Sequence, residues 1–249
     1  MPDLNKANRM VCDVMIDVLK TGKEFLFFDT ANVTTVGLTG DSVYAMAKGA
    51  RAIAFQNPME GTLTIEAQVY PFKLFALYSD GVIETEGAYK DVKTIKCETA
   101  GELAVEVKNG EIQAGTVVVF PVGEYGNEEA AIEGTFADGK FTATSADALA
   151  VGTEYQMTFM VTRTGIKKVS FNNDKVSPDY KITMKTLDKD EDGLWTPFLI
   201  TAHKATIQRN FELSFSSEGD PVQLSATFDI LQRKGENILE IIELPDDAE

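Results

Sequence analysis

Thr62–Val69 reads TLTIEAQV, and Thr206–Phe228 reads TIQRNFELSFSSEGDPVQLSATF. The two stretches lie far apart in the chain, yet together they spell three strand patterns of one kind. In the first, Leu63, Ile65, Ala67 and Val69 alternate with Thr62, Thr64, Glu66 and Gln68. In the second, Ile207, Phe211, Leu213 and Phe215 alternate with Gln208, Asn210, Glu212 and Ser214, with Arg209 breaking the apolar register. In the third, Val222, Leu224, Ala226 and Phe228 alternate with Gln223, Ser225, Thr227 and Asp229. A period of two means a sheet with one buried face. Its other face carries small uncharged or acidic groups and no Lys. That chemistry suits the wall of a passage along which a polyanion slides without sticking.

Outward from these segments the chain reads mainly as β. Met10–Leu19, Glu24–Phe28 and Asn32–Leu38 are apolar, β-branched or aromatic runs separated by turn residues. Asp13 and Asp17 are four apart, as on a helix, but the Val and Ile content favours a strand. Tyr44–Phe55 (YAMAKGARAIAF) reads as a strand pair bent at Gly49. It either packs on its own domain or extends to pair with a neighbouring subunit, as open strand edges readily do. Pro71–Ser79 is the best helix candidate, with Pro71 at the first helical position and Asp80-Gly81 as the stop.

The character changes near residue 96. Short strands at Leu103–Val107, Thr116–Val122, Gly134–Phe136, Phe141–Thr144 and Tyr155–Arg163 alternate with turns, and Asp138-Gly139 is a strong hairpin signal. The span 96–178 therefore reads as a small inserted β-sandwich of immunoglobulin-like type. The main β domain is assigned to 1–95 and 179–249, re-entered at Tyr180–Thr186. The acidic tail Leu244–Glu249 is expected to be mobile.

Composition narrows the function. A chain of 249 residues with net charge −16 lacks the basic clusters needed for tight phosphate binding. Two cysteines, Cys12 and Cys97, are too few for a disulfide framework or a structural zinc site, and are expected as reduced thiols in or near the core. A single His excludes a multi-histidine metal centre. No run approaches the roughly 20 apolar residues of a membrane-spanning helix. With no apolar signal region at its start, the chain is expected in the cytosol at synthesis.

Motifs that carry catalysis are absent. No glycine-rich phosphate cradle, nucleophile elbow or catalytic cysteine context occurs. Asp188, Asp190, Asp192 and Gly193 (DKDEDG) match the first half of a calcium loop, but the closing Glu position holds Leu199. An acidic turn between strands is the stronger reading there. His203, just ahead of the Thr206 strand, is expected as a half-buried or surface side chain, and Glu128-Glu129 as a chance carboxylate pair. No cofactor is expected. The balance moves from enzyme to structural or binding protein.

Two stretches resemble the tail tube proteins of tailed bacteriophages. Lys48–Phe55 leads into NPMEGTLTIEAQVYPFKLFALYS (Asn57–Ser79), and Ala202–Phe228 resembles that family's closing strand pair, with its turn at Gly219, Asp220 and Pro221. The resemblance covers about half the chain. It implies a β-sandwich or partial barrel with one short flanking helix, carrying an immunoglobulin-like insertion. It further implies a non-enzymatic virion protein, assembled in the host cytoplasm into stacked, hexameric rings that conduct DNA during ejection. Glu66, Gln68, Gln208, Glu212 and Asp229 become candidates for the lumen. Tyr44, Lys48, Arg51 and Phe55 become candidates for an inter-subunit hairpin. Implied partners are further copies of the chain, the tape measure, a sheath or baseplate, and DNA in transit; no membrane is implied. A capsid decoration or head-completion protein, or an adhesive or carbohydrate-binding β module, is the alternative.

Overall fold

A computed structural model describes residues 5–219 and 221–245. In chain order the elements are β1 (Lys6–Ala7), β2 (Asp13–Val18), β3 (Lys23–Phe28), β4 (Val33–Thr39), β5 (Ser42–Ala47), β6 (Ala50–Gln56), β7 (Glu60–Ala67) and α1 (Leu74–Leu77). Then follow β8 (Glu84–Lys96), β9 (Glu102–Ala104), β10 (Gly110–Ile112), β11 (Val118–Pro121), β12 (Gly134–Ala137), β13 (Lys140–Ala143) and β14 (Glu154–Lys168). The last are β15 (Tyr180–Asp190), β16 (Trp195–Ile207), β17 (Leu224–Ile230) and β18 (Leu239–Glu243). The protein is mainly β, its strands pair antiparallel, and no sheet closes into a barrel. It divides into two compact units, one of Met1–Val82 with Val169–Glu249, the other Ile83–Lys168.

The first unit is built on a sheet in the order β3-β2-β15-β16-β17-β7-β4, with β1 added to β15 and β18 added to β16. Its registers place the apolar half of each alternating pattern on one side. Phe228 lies opposite Ile207 and Leu63, Ala226 opposite Ile65, and Leu224 opposite Ala67. Ile182 lies opposite Ile16 and Ala202, and Met184 opposite Val14. All of these are buried. Burying each large side chain contributes roughly 1.5–3 kcal/mol, so this face is the main source of the unit's stability.

The helix closes the same core. Pro71 sets the first turn, and Leu74, Phe75 and Ala76 donate backbone bonds three residues back. The geometry is that of turns around a single α-helical turn, so the helix expected over Pro71–Ser79 shortens to Leu74–Leu77. Gly81, at φ +77°, donates back to Ala76 O and ends it. Leu74, Ala76, Leu77 and Tyr78 are buried, and the Tyr78 hydroxyl donates to Ser225 O of β17 (2.7 Å).

The second unit holds two small sheets, β10-β14-β11 with β8 on β14, and β12-β13-β9. They share one core of Leu103, Val119, Phe141, Leu149, Met157, Phe159 and Val161, with Cys97 buried among them. The Asp138-Gly139 turn joins β12 to β13, with φ +52° and +77°. Two successive left-handed residues match the twist of a two-residue hairpin, and Asp-Gly tolerates them at low cost. The chain enters by β8 and leaves by β14, and these strands pair along nearly their whole length.

Some expectations change. The strand predicted to run from Ile207 to Phe215 stops at Ile207, and no strand resumes until Leu224. Arg209 is the physical reason. Its guanidinium donates to Tyr78 O (3.3 Å), Lys175 O (3.0 Å) and Asn172 O (2.8 Å), which pulls the backbone out of the ladder. His203 lies inside β16, not ahead of a strand. The proposed turn at Gly219-Pro221 includes Asp220, and the acidic tail includes residues 246–249, all outside the described residues.

Candidate functional site

Side chains opposite the core form a polar surface on β4, β7, β17 and the end of β16, interrupted by the exposed Val33. Registers pair Glu66 with Ser225 and Val33, Thr64 with Thr227 and Thr35, and Thr62 with Asp229 and Gly37. Thr206 continues the row opposite Asp229. Small hydroxyls meet across strands, as in Thr64 Oγ1···Thr227 Oγ1 at 3.1 Å. Both acids are held by amides. Gln223 Nε2 donates to Glu66 Oε2 (2.6 Å), and Gln208 Nε2 donates to Asp229 Oδ1 (2.7 Å). An amide donor fixes a carboxylate without neutralising it, so the surface keeps its negative charge.

Two features could not be read from the alternation. Glu212 lies in the irregular segment, yet it lines a shallow depression with Arg209, Gln223, Ser225 and Thr227, so it borders the same face without being part of a strand. Lys204 stands beside Thr206 at the β16 end, where the strand bulges between Ala202 and Ala205. Its ammonium pairs with Asp179 (3.2 Å), and Asp179 also accepts from the Thr206 hydroxyl (2.5 Å). This cation at the border is thus matched by an anion. Gln68 sits just past β7, its backbone N–H donating to Asn32 Oδ1 (2.9 Å).

The β5–β6 hairpin is a two-stranded sheet of its own. Its turn, Lys48-Gly49, has φ +49° and +84°, the same left-handed pair as Asp138-Gly139. Tyr44, Lys48, Arg51 and Phe55 all lie on it, and Arg51 stacks over the Tyr44 ring at 4.3 Å. Val43, Met46, Ile53 and Phe55 are each more than half exposed. An isolated two-stranded hairpin is marginal in water, and one carrying uncovered Phe, Ile, Val and Met on its faces is a surface waiting for a partner.

A model of the YomU/Tube protein family matches residues 9–241, which spans both units. The chain belongs to the YomU/Tube protein family. That membership agrees with the resemblance to phage tail tube proteins read at Asn57–Ser79 and Ala202–Phe228. Comparison with curated proteins gives no match. The family name points to a tube-like component of a phage tail, a virion structural protein.

Elsewhere in this YomU/Tube chain, the acidic residues of DKDEDG close the β15–β16 hairpin. Asp190 Oδ1 accepts from the backbone N–H of Asp192 (3.0 Å) and Leu194 (2.8 Å), and Asp188 accepts from Asn8 Nδ2 (2.7 Å). The Asp190 carboxylate is engaged in holding the turn and Asp188 in binding Asn8, and among the described residues no group of three His, Cys, Asp or Glu is placed to hold a metal ion. His203 Nε2 lies 3.1 Å from Glu240 Oε2, across the β16–β18 pair. A hydrogen bond from Asn237, and then the nearby His203, hold the Glu240 carboxyl below its usual range. Cys12 and Cys97 are free thiols, Cys97 buried. Among the described residues no helix is long and apolar enough to cross a membrane.

Proposed function

We propose that this chain is the repeating subunit of a phage tail tube, assembling as hexameric rings that stack into the conduit for DNA ejection. The observation that carries this is an open sheet. Its outermost strands β3 and β4 each have one unpaired edge among the described residues. One face is oily; the other is polar and acidic over β4, β7, β17 and the end of β16, while over β15, β2 and β3 it carries Lys181 and Lys185 opposite Asp17 and Asp13, with Met15 and the exposed Phe27. Copies set edge to edge would close that sheet into a ring and remove the edges. In this arrangement Glu66, Gln68, Gln208, Glu212 and Asp229 face the bore, and the hairpin with Tyr44, Lys48, Arg51 and Phe55 contacts a neighbour. Carboxylates on the wall repel phosphates over about 8 Å at physiological salt, enough to keep DNA from settling on the surface. Further tail proteins, such as a tape measure and a sheath or baseplate, meet the tube at its interior, surface and end.

The insertion fits this reading as an immunoglobulin-like module over 96–178, carried by a main domain of 1–95 and 179–249. The subunit acts by assembly and not by catalysis, in the virion and, while assembling, in the host cytoplasm. Electron microscopy of the purified protein tests it: rings or tubes of uniform bore are expected, and a monomer under all assembly conditions would refute it. In phage particles, Glu66→Lys with Asp229→Lys should leave tubes intact and slow DNA release. Unchanged release would remove these residues from the bore.

A further inference from the structure

The registers place two protrusions at the same end of the first unit's sheet. Moving along β16 from Ile207 to Ala205, the partners run from Phe228 to Ile230, from Leu63 to Gly61, and from Val36 to Leu38. Continuing in that direction, β4 and β7 lead into the β5–β6 hairpin, and β16 leads back toward Trp195 and the β15–β16 turn. The hairpin leaves beside the β4 edge. The turn stands nearer the opposite edge, past the row where β2 and β3 end, flanked by β1 and β18. The hairpin has six rungs, and β15 runs five residues, Thr186–Asp190, past its last β2 partner with β1 beside its end; each stretch spans about 16–20 Å at 3.3 Å per residue.

Their chemistry is complementary. Residues 42–56 carry Lys48 and Arg51 and no acid, in a chain of net charge −16. Residues 187–195 carry Asp188, Asp190, Glu191 and Asp192 against Lys189 alone. Both protrusions also expose apolar surface: Val43, Met46, Ile53 and Phe55 on the hairpin, Leu194 and Trp195 beside the turn. We propose that the β5–β6 hairpin of one copy docks on the acidic β15–β16 turn of a second copy of this chain, Lys48 and Arg51 facing Glu191 and Asp192 and the apolar residues packing beneath them. The contact is heterologous, two different patches meeting, and such contacts close into rings or run on as filaments. It rests on the tube reading and names the partner surface that the hairpin takes.

Charge exchange tests it. Lys48→Glu/Arg51→Glu is one variant, Glu191→Lys/Asp192→Lys the other; Asp190 is left intact because it holds the turn. Each should fold as wild type by circular dichroism and need roughly 10- to 100-fold more protein to assemble, since like charges then face each other across the contact. An equimolar mixture of the two variants presents only opposite charges at alternating contacts and should recover assembly near the wild-type concentration. If the variants assemble like wild type, or the mixture assembles no better than either alone, the docking is wrong while the tube reading stands. If the wild-type chain forms no assembly at all, both fall.

Discussion

Arg209→Ala is the substitution with the most to say about the fold. The guanidinium makes three hydrogen bonds to backbone carbonyls of Tyr78, Lys175 and Asn172, joining the residues after α1 and the segment before β15 to the irregular stretch bordering the polar face. A charged donor to a carbonyl is worth roughly 1.5–3 kcal/mol when buried, but Arg209 is exposed, and water replaces much of what is lost. The longest of the three, at 3.3 Å, contributes least. A loss of about 2 kcal/mol for the three together is expected. Phe211 lies 4.8 Å from the Tyr78 ring and 5.2 Å from the Phe171 ring, so the segment stays loosely docked without the anchor. Arg209→Lys should recover less than half, because one ammonium cannot span three carbonyls set in a fork. Trp195 is the single tryptophan and lies in β16, so its fluorescence in urea reports the first unit alone. With a slope near 2 kcal/mol per molar urea, Arg209→Ala should lower the midpoint by about 1 M. A midpoint shift under about 0.2 M, or a lysine variant equal to wild type, would show that something other than this anchor ends the strand at Ile207.

Three further outcomes follow from the same contacts. Phe228→Ala, at a fully buried position between Ile207 and Leu63, should cost about 3–5 kcal/mol by the same fluorescence assay. Gly134→Ala should loosen the second unit selectively, since a Cβ there would sit 2.4 Å from Thr142 O; hydrogen exchange should rise in β12 and β13 with the Trp195 transition unmoved. A hydrogen bond from Lys175 holds the Asp80 carboxyl below its ordinary value of 3.8. A depressed folded pKa gives stability that is present above the ordinary value and lost as pH falls through the folded one. Denaturation midpoints of the wild type should therefore drop below about pH 4, and Asp80→Asn should be weaker at neutral pH and flatter on the acid side.

Much of the fold can be read in the sequence because alternation reports burial directly. β7 and β17 appear where Leu63, Ile65, Leu224, Ala226 and Phe228 recur every second residue, and Asp138-Gly139 marks its hairpin by backbone chemistry alone. β8 was not legible: Glu84–Lys96 pairs along β14, but its inward positions include Gly87, Asp91 and Lys93, and no apolar face announces it. The length of β16 was hidden similarly, its bulge at His203 and Lys204 breaking the period. The false strand after Ile207 had its warning in Arg209, an always-charged side chain in an apolar register. Of the polar-face candidates, Glu66 and Asp229 are strand-borne and could be placed on one face by pattern. Glu212 reaches the border of that face through tertiary contacts that no local period encodes.

The decisive measurement is the position of Glu66 and Asp229 in an assembled particle, determined by electron cryo-microscopy of tubes formed by the wild-type chain. Both carboxylates should point into the bore, with the β3 and β4 edges of adjacent copies joined. Carboxylates on the outer surface of the tube, or buried between stacked rings, would contradict the conduit outright.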